Sequence, residues 1–236
     1  MKAHAAGNFL SARPAWARSL PFAVFLVFLA AENNFATIKG YLPVLAGWDG
    51  RWLYAAKTIA TAGLLAALWP SYTELRSRPA GAAHWLWALA TGVGVFWLWI
   101  HLTQPWATLG QPGPGFDPKA ADGRLNWALV LFRLGGAALV VPLMEELFWR
   151  SFIMRWLKRG DFLAVDPAQV GVKALAISSA LFAVEHTLWL AGLLAGLAYG
   201  LLYIKTKNLW FPIIAHAVTN GTLGIWVLTS GNWQFW

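Results

Sequence analysis

Apolar runs of about 20 residues recur from one end of this chain to the other, and a helix of that length covers the ~30 Å hydrocarbon core of a bilayer. The chain has 236 residues, of which only 12% are charged, against about 25% in an ordinary soluble domain. These features define an all-α, polytopic transmembrane bundle of seven or eight spans, with no soluble domain of any size. Spans are expected at 20–38, 52–70, 83–103, 126–157, 172–188, 189–204 and 209–230. The run at 126–157 exceeds one perpendicular crossing, which is why an eighth span stays open. Cysteine is absent, so disulfides, thiolate metal sites and a cysteine nucleophile are excluded.

The net charge of +8 could suggest a nucleic-acid partner, but in a membrane protein basic residues report topology first. The partners expected are the lipid bilayer and a membrane-anchored protein or peptide, with no nucleic acid. Lys2, Arg13, Arg18, Arg76, Arg78, Arg155, Lys158, Arg159, Lys173, Lys205 and Lys207 fall on one side of the seven-span layout. Only Lys39, Arg51, Lys119 and Arg124 fall on the other. That asymmetry favours an N-terminus in the cytoplasm and a C-terminus outside; a bacterial or archaeal inner membrane is the expected location. Arg13 and Arg18 ahead of the apolar run from Leu20 resemble a signal peptide, but no cleavage site stands out, so the run is read as a retained span. The Pro- and Gly-rich stretch 104–124 reads as an outer loop. It divides three spans in 1–125 from a region, 126–236, that holds nearly all the candidate chemistry.

Ionisable groups inside membrane helices each need a reason, since burying one is expensive. For Glu32, Asn33, Asn34, Lys57 and Arg133 the reading is helix-to-helix hydrogen bonding or snorkelling. The stretch VPLMEELFWRSF is different, because Glu145, Glu146 and Arg150 lie within six positions. On a helix turning 100° per residue, Arg150 is about 40° from Glu146 and about 140° from Glu145. Arg150 can therefore pair with Glu146. Glu145 is left without a partner on its own helix, in the low-dielectric setting where a carboxylate becomes a general base. By itself the trio could equally be an ion-pair knot pinning two helices.

Two further stretches shift that balance. In LFAVEHTLW, Phe182 and His186 are spaced to share a helix face, and in FPIIAHAVTNG, His216 and Asn220 stand at i and i+4. Two glutamates, two histidines, an asparagine and an arginine on three helices supply a base for water, groups to hold it and donors for an oxyanion. Gly192, Gly196 and Gly200 read instead as a packing ridge that lets a neighbouring helix approach closely. The tryptophans gather near span ends, as in an interfacial belt.

Glu145-Glu146-x-x-x-Arg150, then Phe182-x-x-x-His186, then His216-x-x-x-Asn220, each on an expected span, resembles the CPBP intramembrane protease family, also called the CAAX-protease or Abi family. The resemblance covers roughly 126 to 230, and a branch associated with bacterial C-terminal protein sorting is the expected subfamily. It implies a CAAX-protease-like core and an endopeptidase that cuts a membrane-associated substrate within the bilayer. Carried over, Glu145 activates water with help from His186, Arg150 orients Glu146, and His216 and Asn220 steady the water or the oxyanion. In a bacterial cell prenylated substrates are not expected, so protease chemistry is implied rather than prenyl specificity.

Two questions stay open at this level. Glu145, His186 and His216 would suffice for a catalytic zinc with an open position, yet the HExxH pair of zincins is absent, which favours a metal-free mechanism. The rival from another class is a transporter or scaffold that uses the buried Glu, His and Arg groups as a proton or ion relay. A catalytically inactive relative that recruits a sorting enzyme is a third reading, disfavoured by the intact motifs. No G-x-S-x-G and no paired G-x-G-D and Tyr-Asp occur, so serine and aspartyl intramembrane mechanisms lack their residues.

Overall fold

In lipid, a helix satisfies its backbone polar groups within one segment, and eight helices among the described residues carry this fold. The computed structural model describes residues 13–110, 113 and 115–236. Lys2 of the basic set, and Gln111, Pro112 and Pro114 of the 104–124 loop, lie outside the described residues. The helices are α1 (Pro14–Asn33), α2 (Phe35–Tyr41), α3 (Trp52–Ala67), α4 (Ala82–His101), α5 (Trp127–Trp156), α6 (Val172–Val184), α7 (Trp189–Thr206) and α8 (Trp210–Ser230). Among the described residues the only strand-like pairing is an isolated bridge between Lys119 and Leu125.

Five of these helices, α1, α4, α5, α7 and α8, are long and apolar enough to cross a membrane. The chain is an integral membrane protein. The eighth crossing is not formed, because the long run folds as one helix of 30 residues rather than two. Two expected spans are shorter than anticipated: α3 has 16 residues and α6 has 13. The first helix begins earlier than expected, at Pro14, where a proline in the first turn gives up no helical hydrogen bond. It breaks at Asn34, whose side-chain amide and backbone N–H both take the Ala30 carbonyl.

Helix α5 sits at the centre, packed against α1, α3, α6 and α8, while α7 packs against α4, α6 and α8. One end of α5 is fixed by a buried polar knot. Arg18 of α1 donates to Glu74 in the α3–α4 connection and to Ser151 of α5, and Arg155 donates to the Ser151 hydroxyl. Glu32 of α1 and Lys57 of α3 pair at 2.5 Å, the interhelical use anticipated for both.

The glycine ridge of α7 is a packing face, as its spacing indicates. A Cβ at Gly196 would stand 2.9 Å from both Cα and Cβ of Ser179 on α6, and one at Gly192 would stand 3.2 Å from Ala183 Cα. Backbone atoms cannot swing aside as a flexible side chain does, so Gly196→Ala forces α6 and α7 apart. The expected cost is about 1–3 kcal/mol, measured as a fall in the thermal unfolding midpoint in detergent. Gly63→Ala, where no atom lies within 4 Å of the added Cβ, serves as the neutral comparison.

Candidate active site

The site begins with Pro142. A proline has no N–H to donate and its ring crowds the preceding turn, and α5 answers by opening into a π-helical segment over Gly136–Val140. In that wider register residue 142 would donate to Ala137, which Pro142 cannot do. The Asn220 side chain of α8 takes over, its Nδ2 donating to the Ala137 carbonyl at 2.8 Å. A second π segment, Leu147–Ile153, follows. Between them the α-helical turn Val141–Glu146 presents the two carboxylates.

Those carboxylates have different surroundings. Glu146 is fully buried and stands 3.1 Å from Arg150 Nε, in the pairing that helical spacing foretells. It also accepts a hydrogen bond from His216 Nδ1 at 3.0 Å, a contact across 70 positions that nothing local signals. Glu145 has no ion pair on its own helix, and its Oε2 makes no hydrogen bond. That oxygen faces His216 Nε2 across 4.0 Å. Arg150 is held between two rings, with Cζ 4.4 Å from the centre of Phe182 and 5.4 Å from that of Tyr199.

His186 departs from the expected helix face in an informative way. Helix α6 ends at Val184, because the His186 side chain takes the Phe182 carbonyl at 2.8 Å that the next helical turn would have used. The His186 backbone N–H tightens instead onto Ala183. A carbonyl only accepts, so Nδ1 carries the proton and the neutral ring leaves Nε2 as an acceptor. His216 is set in the same sense, Nδ1–H toward Glu146 and Nε2 toward Glu145.

Glu145, His186, His216 and Asn220 line one cavity of about 200 Å³. Glu146 and Arg150 stand behind that wall as the pair that fixes His216. Several supporting residues were missed from sequence. Tyr199 stacks on His216 with ring centres 5.0 Å apart, and its hydroxyl is tied to Thr219 at 2.7 Å. Trp99 of α4 packs edge-on against His186 at 5.2 Å. Pro142, three residues before the paired carboxylates, was the one local signal available. The Trp236 ring closes the cavity from the end of the chain, and no short-range pattern announces it.

Two of the three candidate zinc donors stand farther apart than the ligands of one tetrahedral ion. Tetrahedral zinc with bonds of about 2.0–2.2 Å brings its ligand atoms to roughly 3.4 Å from one another, whereas Glu145 Oε2 and His216 Nε2 are 4.0 Å apart. Among the described residues no group of three or more His, Cys, Asp or Glu side chains is placed to hold a metal ion.

A membrane-embedded helical bundle with a buried carboxylate, two imidazoles and an amide around one cavity, backed by a Glu–Arg pair, has the parts of an intramembrane hydrolase. The family model of the Rce1-like type II CAAX prenyl endopeptidases matches residues 126–222, which contain all six of these residues. Over that segment, which is less than half of the chain, it is similar to this family of peptide hydrolases. Comparison with the curated proteins found no match, and neither did comparison with the solved structures.

Proposed function

We propose that this protein is an intramembrane endopeptidase that hydrolyses a peptide bond in a lipidated or C-terminally anchored substrate, with Glu145 as the base. The observation that carries the reading is the Glu145 carboxylate: buried, without a hydrogen-bond partner at Oε2, and facing His216 Nε2 at 4.0 Å in a cavity shared with His186 and Asn220. That gap is too long for a direct hydrogen bond and suits a water seated beside both atoms.

In this mechanism Glu145 takes one proton from the water, and the hydroxyl oxygen bonds to the scissile carbonyl carbon as the carbonyl electron pair moves onto its oxygen. His186 Nε2 orients the water as an acceptor. One further proton is shared between Glu145 and His216 across their 4.0 Å gap. On His216 Nε2 that proton makes the imidazole a donor to the oxyanion. Asn220 contributes its second N–H, the first being committed to Ala137. Collapse breaks the C–N bond, and the proton held by Glu145 passes to the leaving nitrogen. One water is consumed, and one acid and one amine are formed.

The test uses purified protein in detergent with membrane-anchored peptide substrates and mass-spectrometric detection of the products. Cleavage by the wild type should persist in the presence of a zinc chelator and fall at least about 100-fold in His186→Ala, within the range of a general acid–base contact. Loss of activity on chelation, restored by added zinc, would refute the metal-free mechanism. Unchanged cleavage in His186→Ala would remove that residue from the site.

A further inference from the structure

The catalytic cavity is small, and one ring stands between it and larger space on two sides. Its volume of about 200 Å³ lies below the roughly 300–1,000 Å³ of sites that enclose a drug-sized ligand. One neighbouring cavity, of about 580 Å³, is lined by Thr103, Leu188 and Trp226, and another, of about 550 Å³, by Arg51 and Lys57. Trp99, His186, Phe235 and Trp236 line both the catalytic cavity and the first of these, and Trp236 alone among the described residues lines all three. Its ring is firmly placed. The Trp236 carbonyl accepts from the Phe116 N–H at 3.0 Å, and the Trp236 N–H donates to the Trp233 carbonyl at 2.9 Å. The ring meets Phe116 edge-on at 6.3 Å and lies against α8 where Gly224 leaves room, since a Cβ there would stand 3.4 Å from Nε1. That Nε1 is buried without a hydrogen bond. A buried indole usually finds a partner for its N–H, so this one is kept at a cost in polarity, and its bulk is what the position uses.

We infer that Trp236 is a specificity-determining residue for the hydrolysis, its ring restricting the substrate to a small side chain next to the scissile bond. This rests on the protease reading above. A peptide lying across Glu145 must place the residues that flank its scissile bond among His186, His216 and Asn220, which line the catalytic cavity together with the Trp236 ring. A side chain as small as that of glycine or alanine fits there. A leucine or phenylalanine side chain needs part of the neighbouring cavity of about 580 Å³, and the partition between the two spaces is built from Trp99, His186, Phe235 and Trp236. Trp99 packs on His186 and cannot recede without disturbing the catalytic imidazole, whereas the ring contacts of Trp236 are with Phe116 and Trp233. Trp236 is thus the part of the partition whose size can set the limit without altering the chemistry. It also lies beyond residues 126–222, the segment that matches the Rce1-like family model, so the limit is set from outside the matched region.

The experiment uses membrane-anchored peptides that differ only beside the scissile bond, with alanine on both sides in one and phenylalanine on either side in two others. For the wild type, kcat/KM should fall at least about tenfold from alanine to phenylalanine at one of the two positions, since a misfit of one methylene in an enclosed pocket is already worth about 10–200-fold. In Trp236→Ala the phenylalanine-to-alanine ratio at that position should rise by about tenfold or more. Trp236→Phe, which keeps a ring in the same packing, should give a smaller rise, and it carries the test if Trp236→Ala does not fold. Equal cleavage of all three peptides by the wild type overturns the proposal without any variant, and so does an unchanged ratio in the folded variants, whatever their absolute rates. Binding of the same labelled peptides to full-length Glu145→Gln, followed by fluorescence anisotropy, separates this inference from the protease reading. If the wild type cleaves nothing but the alanine peptide binds about tenfold tighter than a phenylalanine one, with the preference lost in Glu145→Gln/Trp236→Ala, the size limit stands and the protease reading falls. Equal binding of all three peptides without cleavage removes both.

Discussion

Glu145→Gln is expected to abolish peptide cleavage, by at least about 10³-fold, while leaving the thermal unfolding midpoint unchanged or raised. The carboxylate is 8% exposed and its Oε2 has no hydrogen-bond partner, so an isosteric amide removes a poorly satisfied buried acid without opening a cavity. General-base catalysis is worth about 10²–10⁴-fold, and loss of the held water adds to that. Glu145→Asp separates the two classes of function. It keeps the charge but withdraws the carboxylate by one methylene, and a displacement of about 1 Å in a positioned group costs on the order of 10²-fold. A proton relay tolerates that displacement, because a carboxylate remains on the path. Proton flux retained by Glu145→Asp in liposomes, with no peptide cleaved even by the wild type, would therefore decide for transport. Cleavage that survives in Glu145→Gln would exclude Glu145 as the base.

The helices were legible because lipid imposes one requirement on every span, a long apolar run, and the runs at 83–103 and 209–230 became α4 and α8 with little change. The pairing of Arg150 with Glu146 was legible for a similar reason, since i and i+4 on one helix are neighbours whatever surrounds them. What was not legible depends on groups far apart in the chain or on competition for one backbone atom. The end of α6 is decided by which donor wins the Phe182 carbonyl, and the His186 side chain wins it. The opening of α5 follows from Pro142 but needs Asn220, 78 positions away, to satisfy the carbonyl it strands. His216 was placed near the site by its spacing to Asn220. Its position between Glu145 and Glu146 exists only once α8 packs against α5. Arg133 was read with the other in-span polar residues as a helix-to-helix contact. Glu32 and Lys57 fit that description as an ion pair, and Arg133 fits it through Tyr54 of α3, whose ring its guanidinium covers and whose hydroxyl donates to its carbonyl.

Arg150→Met is expected to lower stability by about 3–5 kcal/mol, the range for removing one partner of a buried ion pair. In a chain of 236 residues that corresponds to a fall of roughly 6–20 °C in the unfolding midpoint. The reason lies in what remains. Glu146, fully buried, would keep one hydrogen bond from His216 and lose its only arginine, while the space between Phe182 and Tyr199 would be filled by a side chain of similar length. The double variant Glu146→Gln/Arg150→Met removes both charges and should regain most of the lost stability, because a neutral amide still accepts from His216 Nδ1 without a buried charge to compensate. Activity should not return with it. Glu146 fixes which nitrogen of His216 carries the proton and balances the charge that develops on the ring, and loss of such an orienting group costs typically 10–100-fold. Stability restored and cleavage still depressed would establish the Glu146–Arg150 pair as the element that positions His216. If the double variant is no more stable than Arg150→Met, the guanidinium is needed for its packing between the two rings, and the ion pair is incidental to the fold.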